Sequence, residues 1–87
     1  MRHYADHLEE LVGDSLTEAR IDFEHESEGG RASEHGLDFY IPAADVFIEV
    51  KQYHSDRIAK QTSRVNEVIV LQGEKAVKLF ATLLNEL

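Results

Sequence analysis

Gly36 to Lys51 reads GLDFYIPAADVFIEVK, and the fold turns on how this stretch pairs with itself. Taking Pro42-Ala43-Ala44-Asp45 as a four-residue turn, the flanking runs form an antiparallel hairpin with Ile41 opposite Val46. The register follows by counting. Leu37 faces Val50, Phe39 faces Ile48 and Ile41 faces Val46, so one side of the ribbon is apolar throughout, as a core-facing side requires. On the other side Asp38 meets Glu49 and Tyr40 meets Phe47, with Lys51 one step beyond. Like charges directly opposed in a sheet repel. Two carboxylates in that register are most simply explained by a cation between them.

Working outward, His3 to about Ala19 carries Ala5, Leu8, Val12, Leu16 and Ala19 at helical spacing, interrupted by Leu11 and Gly13. Glu9 lies at the margin of that stripe, where it reaches over the edge of a sheet the helix packs on. Arg20 to Glu26 alternates with period two and predicts a strand. Ser27 to Gly36, rich in glycine and polar residues, predicts a loop whose only cation is Arg31. After Lys51, Ser55 predicts an N-cap, and DRIAKQTSRVNE a helix with Arg57, Lys60, Gln61 and Arg64 around its apolar stripe. Val68 to Leu71, apolar and mostly β-branched, predicts a strand buried on both faces. A crossover helix before it would make it parallel to its neighbour. Gly73 breaks that strand, and Val77, Phe80, Ala81, Leu84 and Leu87 predict a C-terminal amphipathic helix, of which Val77, Phe80, Leu84 and Leu87 are expected to contribute apolar surface to a homodimer.

At 87 residues, 43% of them hydrophobic, the chain is expected to be one globular domain spanning 1–87, small enough that a homodimer is expected to enlarge the core. No apolar run approaches the roughly 20 residues of a membrane span, and MRHYADHLEE lacks a signal peptide's apolar core. No cysteine is present, which excludes disulfides and thiolate metal sites and makes a cytoplasmic location the default expectation. Nine basic residues against seventeen acidic ones give a net charge of -8, the opposite of the usual balance in a protein that grips phosphates. A local basic face built from Arg57, Lys60, Arg64, Lys75 and Lys78 would offset it, as would neutralisation of acids by metal.

Asp38, the eleven-residue step to Glu49, and Lys51 after one apolar residue resemble the PD-(D/E)XK nuclease signature, with IEVK as its second half. Leu37 stands where the superfamily's name has proline. The expected order of helix, strand, hairpin, helix, strand, helix is similar to the restriction-endonuclease-like fold: an α/β αβββαβ core with a C-terminal helix and a mixed sheet. The resemblance covers nearly the whole chain. It implies a metal-dependent DNA endonuclease, similar to Holliday-junction resolvases in the placing of Glu9, with Gln61 resembling the glutamine of several nuclease branches. With little room for a base-reading subdomain, structure-selective action on a junction or repair intermediate is expected.

Such chemistry needs these residue types. Phosphodiester hydrolysis requires an activated water and compensation of charge on the phosphorane and leaving oxygen. Mg2+, with Mn2+ as a substitute, takes hard oxygen ligands and keeps waters. Asp38, Glu49 and the Val50 carbonyl would therefore suffice, and Glu9 would hold a second ion or one of its waters. Lys51 would orient or deprotonate the attacking water. Arg31, His54, Arg57 and Lys60 are the candidate DNA contacts. The residues leave other readings open: Asp38, Glu49 and Lys51 as a salt-bridged hairpin side facing solvent, Glu9 and Gln61 as helix-surface residues, and the chain as a non-catalytic binding or assembly module.

Overall fold

The computed structural model describes residues 3–51 and 67–86. They form a mixed α/β unit: α1 (His7–Glu18), β1 (Glu24–His25), a 3-10 turn (Glu26–Glu28), α2 (Arg31–His35), β2 (Phe39–Ile41), β3 (Val46–Lys51), β4 (Val68–Gln72) and α3 (Glu74–Asn85). One four-stranded sheet runs in the order β1-β2-β3-β4, antiparallel across the first three strands and parallel between β3 and β4.

The hairpin register matches the count. Phe39 pairs with Ile48, Tyr40 with Phe47 and Ile41 with Val46. Pro42 to Asp45 form the turn, closed by the Asp45 amide donating to the Ile41 carbonyl at 2.8 Å. Asp45 takes φ 54°, a left-handed conformation that Asp tolerates better than most residues, and accepts a hydrogen bond from the Tyr40 hydroxyl at 2.7 Å.

The sheet buries both faces near the hairpin. On one, Phe39, Ile41, Ile48, Val50 and Leu71 pack with Leu8, Val12 and Leu16 of α1 and Val77 of α3. On the other, Tyr40 and Phe47 pack with Leu37 and Ala32, and Arg31 places its guanidinium 5.1 Å from the Tyr40 ring centre and 5.8 Å from that of Phe47. Fully burying a side chain of this size contributes about 1.5–3 kcal/mol. Covering the second face is what lets two aromatics sit beside two acids.

Five expectations need correction. The helix begins at His7 rather than His3, because the Asp6 carboxylate caps it by accepting from the Glu9 amide at 2.9 Å. The strand expected over Arg20–Glu26 shrinks to Glu24–His25. Arg20 turns left-handed (φ 60°), the Ile21 amide returns to the Leu16 carbonyl, and His25 already caps the 3-10 turn. The segment read as loop contains that turn and α2, which Gly36 ends in the left-handed conformation (φ 66°). Leu37 precedes β2 and packs with the second cluster instead of extending the apolar face opposite Val50. Finally β4, although parallel to β3, is an edge strand among the described residues and not buried on both faces: Ile69 and Val70 are 42% and 39% exposed. The helix expected after Ser55 lies outside the described residues.

Candidate functional site

Asp38 and Glu49 meet where β2 begins, and each is tied to the other's strand. The Val50 amide donates to Asp38 Oδ2 at 2.7 Å, and the Asp38 amide donates to Glu49 Oε1 at 3.2 Å. The Asp38 carboxylate takes the place of a Leu37 carbonyl that would otherwise continue the ladder, since the chain before Phe39 has left the sheet to close α2, the Leu37 amide returning to Ala32. The amide and carbonyl of a strand residue face the same edge. The Val50 carbonyl therefore opens toward Asp38 as well.

This packing leaves charge unbalanced. Glu49 is 1% exposed, and its Oε2 has no hydrogen-bond partner among the described residues. Lys51 Nζ lies 3.4 Å from that oxygen, close enough to attract it but not aligned to donate to it. Burial, then the Glu49 carboxyl hydrogen-bonded and charged beside it, push Asp38 up to about 8, while the Val50 amide and Lys51 pull the other way.

Glu9 reaches the same region from the first turns of α1. It is buried, and Oε1 is hydrogen-bonded to His25 Nε2. Burial and the Asp38 charge raise its pKa, against the His25 bond. A cavity of about 220 Å³ opens between the two acids, lined also by His25, Ser27, Ser33 and Glu26. The structure thus brings Asp38, Glu49, Lys51 and Glu9 to one end of the sheet. Arg31 lies over the Tyr40 and Phe47 rings. Gln61, His54, Arg57 and Lys60 lie outside the described residues.

Among the described residues no group of three or more His, Asp or Glu side chains is arranged to hold a metal ion. What the site offers a hard cation is narrower: the paired carboxylates of Asp38 and Glu49, one oxygen of which is buried without a donor, and the Val50 carbonyl. That set fits an ion that keeps most of its waters and not one that needs a full protein cage.

His25 and its partner Ser27 have no role in the sequence reading, yet His25 is 2% exposed and bonded to Glu9. The signal was its place in RIDFEHE, on the same side of the alternation as Ile21 and Phe23: a histidine aimed into a core needs a polar partner there. None of the described helices is long and apolar enough to cross a membrane. Compared with known proteins, the chain matches no family model, no curated protein and no solved structure.

Proposed function

We propose that this chain is a PD-(D/E)XK-type nuclease with a restriction-endonuclease-like fold: a Mg2+-dependent DNA endonuclease, selective for DNA structure over base sequence. The observation that carries the reading is the cross-strand clamp of Asp38 and Glu49, in which two buried carboxylates are held together and one oxygen has no donor among the described residues. A purely structural hairpin gains little from that arrangement, because two buried acids side by side share one nearby cation among the described residues, Lys51, which leaves the second charge unbalanced. The described order of helix, strands, hairpin, parallel strand and helix supports the fold.

In this reading Asp38, Glu49 and the Val50 carbonyl hold the cation. Bound there, the ion would supply charge compensation for the phosphoryl oxygens and a more acidic water. Lys51, two residues beyond Glu49 on the same strand face, orients the attacking water and stabilises developing negative charge. Glu9 presents a further acceptor across the cavity from Asp38.

The partner chain we propose is a second copy. Leu79 and Leu83, one turn apart on α3, are 61% and 57% exposed. Two such helices crossing antiparallel between these leucines bring Lys75 of each copy near Glu86 of the other. That face replaces the one expected from the sequence: Val77 is buried, Phe80 and Leu84 pack against their own core, and Leu87 lies outside the described residues.

The test is incubation with supercoiled plasmid and with four-way-junction DNA, with Mg2+, Mn2+ or chelator, beside Lys51→Ala. Cleavage that requires the ion and falls about 10²–10⁴-fold in the variant supports the reading. Absence of cleavage on every substrate, or equal cleavage by Lys51→Ala, refutes it and favours the non-catalytic module.

A further inference from the structure

His25 is held on every side. Its ring lies 4.8 Å from Tyr4 and 5.2 Å from Phe39, centre to centre, and its backbone amide donates to Glu28 Oε1 at 3.0 Å. The Ser27 backbone amide approaches Nδ1 at 3.2 Å. An amide N–H only donates, so Nδ1 carries the lone pair and the ring proton sits on Nε2, where it donates to Glu9 Oε1. The Ser27 hydroxyl, 2.7 Å from Nδ1, donates to the same atom, while its oxygen accepts from the His3 amide at 3.1 Å. The chain of bonds from His3 through Ser27 and His25 to Glu9 runs in one direction, each bond polarising the next.

The consequence falls on Glu9. The His25 ring holds Oε1 and the Ala5 backbone bonds to the same carboxyl, which lines the cavity shared with Asp38.

We propose that His25 is a positioning residue of the acidic site: locked by Ser27 as the Nε2–H tautomer, it fixes the Glu9 carboxylate toward Asp38 without touching substrate. The inference rests on the nuclease reading for what Glu9 then does. The orientation itself does not depend on it.

The experiment uses the full chain in five forms: wild type, Glu9→Gln, His25→Leu, His25→Gln and the His25→Leu/Glu9→Gln double variant. Folding is checked by thermal melts, and long-range 1H–15N NMR reads the His25 tautomer. Mn2+ affinity by calorimetry and kcat and KM on junction DNA are measured for each. An outer residue that orients a metal-site group is worth about 10–100-fold. His25→Leu is expected to lower Mn2+ affinity or kcat by that factor, with KM within about two-fold. His25→Gln, whose amide nitrogen takes the place of Nε2, is expected to recover most of the loss. In the Glu9→Gln background, His25→Leu is expected to add less than about two-fold, since its effect passes through Glu9. Independent effects in the double variant, a His25→Gln that folds but recovers nothing, or a tautomer protonated on Nδ1 overturns the inference. Coupled Mn2+ affinities without cleavage sink only the nuclease reading, cleavage with uncoupled variants sinks only this inference, and a wild type that binds no Mn2+ sinks both.

Discussion

Replacing Glu49 with Gln separates a metal site from a structural salt bridge by the sign of its effect on stability. In the folded protein Asp38 titrates at about 8 against an ordinary 3.8, chiefly through burial and then through Glu49. Its folded pKa lies above its unfolded one, so between these values the folded state binds more protons than the unfolded chain. Stability from this group is complete below pH 3.8 and is lost as pH rises through about 8. At about 1.4 kcal/mol per pH unit, the whole span has a ceiling of roughly 6 kcal/mol. A neighbouring charge accounts for 1–3 pH units in typical sites, so removing the Glu49 charge returns about 1–4 kcal/mol at pH 8 and little at pH 4. Against this stands the ion pair with Lys51, whose side chain is 34% exposed and whose loss costs about 0–1 kcal/mol. Glu49→Gln is therefore expected to be more stable than wild type in chelator at pH 8, to show a flatter dependence of stability on pH, to lose stabilisation by Mg2+ and to lose cleavage. Urea unfolding followed by circular dichroism, at pH 5 and pH 8 with chelator or Mg2+, reads all but the last. A variant less stable than wild type at pH 8 in chelator would refute the reasoning, since Glu49 would then be present to pair with Lys51.

Leu79→Asp with Leu83→Asp is expected to convert a dimer to a monomer in sedimentation velocity without lowering the melting temperature of the monomer fold; a wild type that sediments as a monomer refutes the proposed face. Gly13→Ala puts a methyl group 2.3 Å from the Tyr4 hydroxyl oxygen, forcing the ring off α1 and away from His25. A loss of about 1–3 kcal/mol in urea unfolding is expected, with a changed near-ultraviolet tyrosine signal. Tyr40→Phe removes the 2.7 Å bond to Asp45 of the turn and is expected to cost about 0.5–1.5 kcal/mol, with cleavage retained because only the hydroxyl is lost and the ring keeps its place beside the acids.

The hairpin was legible because its period and its turn agree: one register satisfies both Pro42–Asp45 and the alternation on either side, and that register sets Asp38 beside Glu49. α3 was legible for a similar reason, a single stripe with Gly73 as its start. Gly13 was not. It breaks the stripe of α1, and its use is visible only once Tyr4, nine residues earlier, folds back over it. α2 was hidden because Gly29, Gly30 and Gly36 read as loop residues, whereas in the fold they bracket five helical residues whose one buried side chain is Ala32. Tyr40 and Phe47 pointed to a cover without naming it. The edge position of β4 was also beyond reach, since a run of β-branched residues reads the same whether one or both faces are packed. His25 escaped because its partner Glu9 comes from another element, sixteen residues away.

The acidity of the chain takes on a different meaning once its acids are located. The net charge of -8 counts Glu9, Asp38 and Glu49 as three full negative charges, yet all three are buried at one end of the sheet, and burial raises the pKa of Glu9 and of Asp38. A phosphate approaching that end without a cation meets repulsion from the fraction of these acids that is ionised, and the low local dielectric strengthens it. Under the nuclease reading this imposes an order: cation first, DNA second, with affinity for DNA conditional on the ion in a way that clustered surface lysines would not make it. It also favours DNA that is already distorted. A protein with few cations to offer cannot hold a duplex through many phosphate contacts, and gains most from a junction or flap that brings one phosphate to the site without bending the rest.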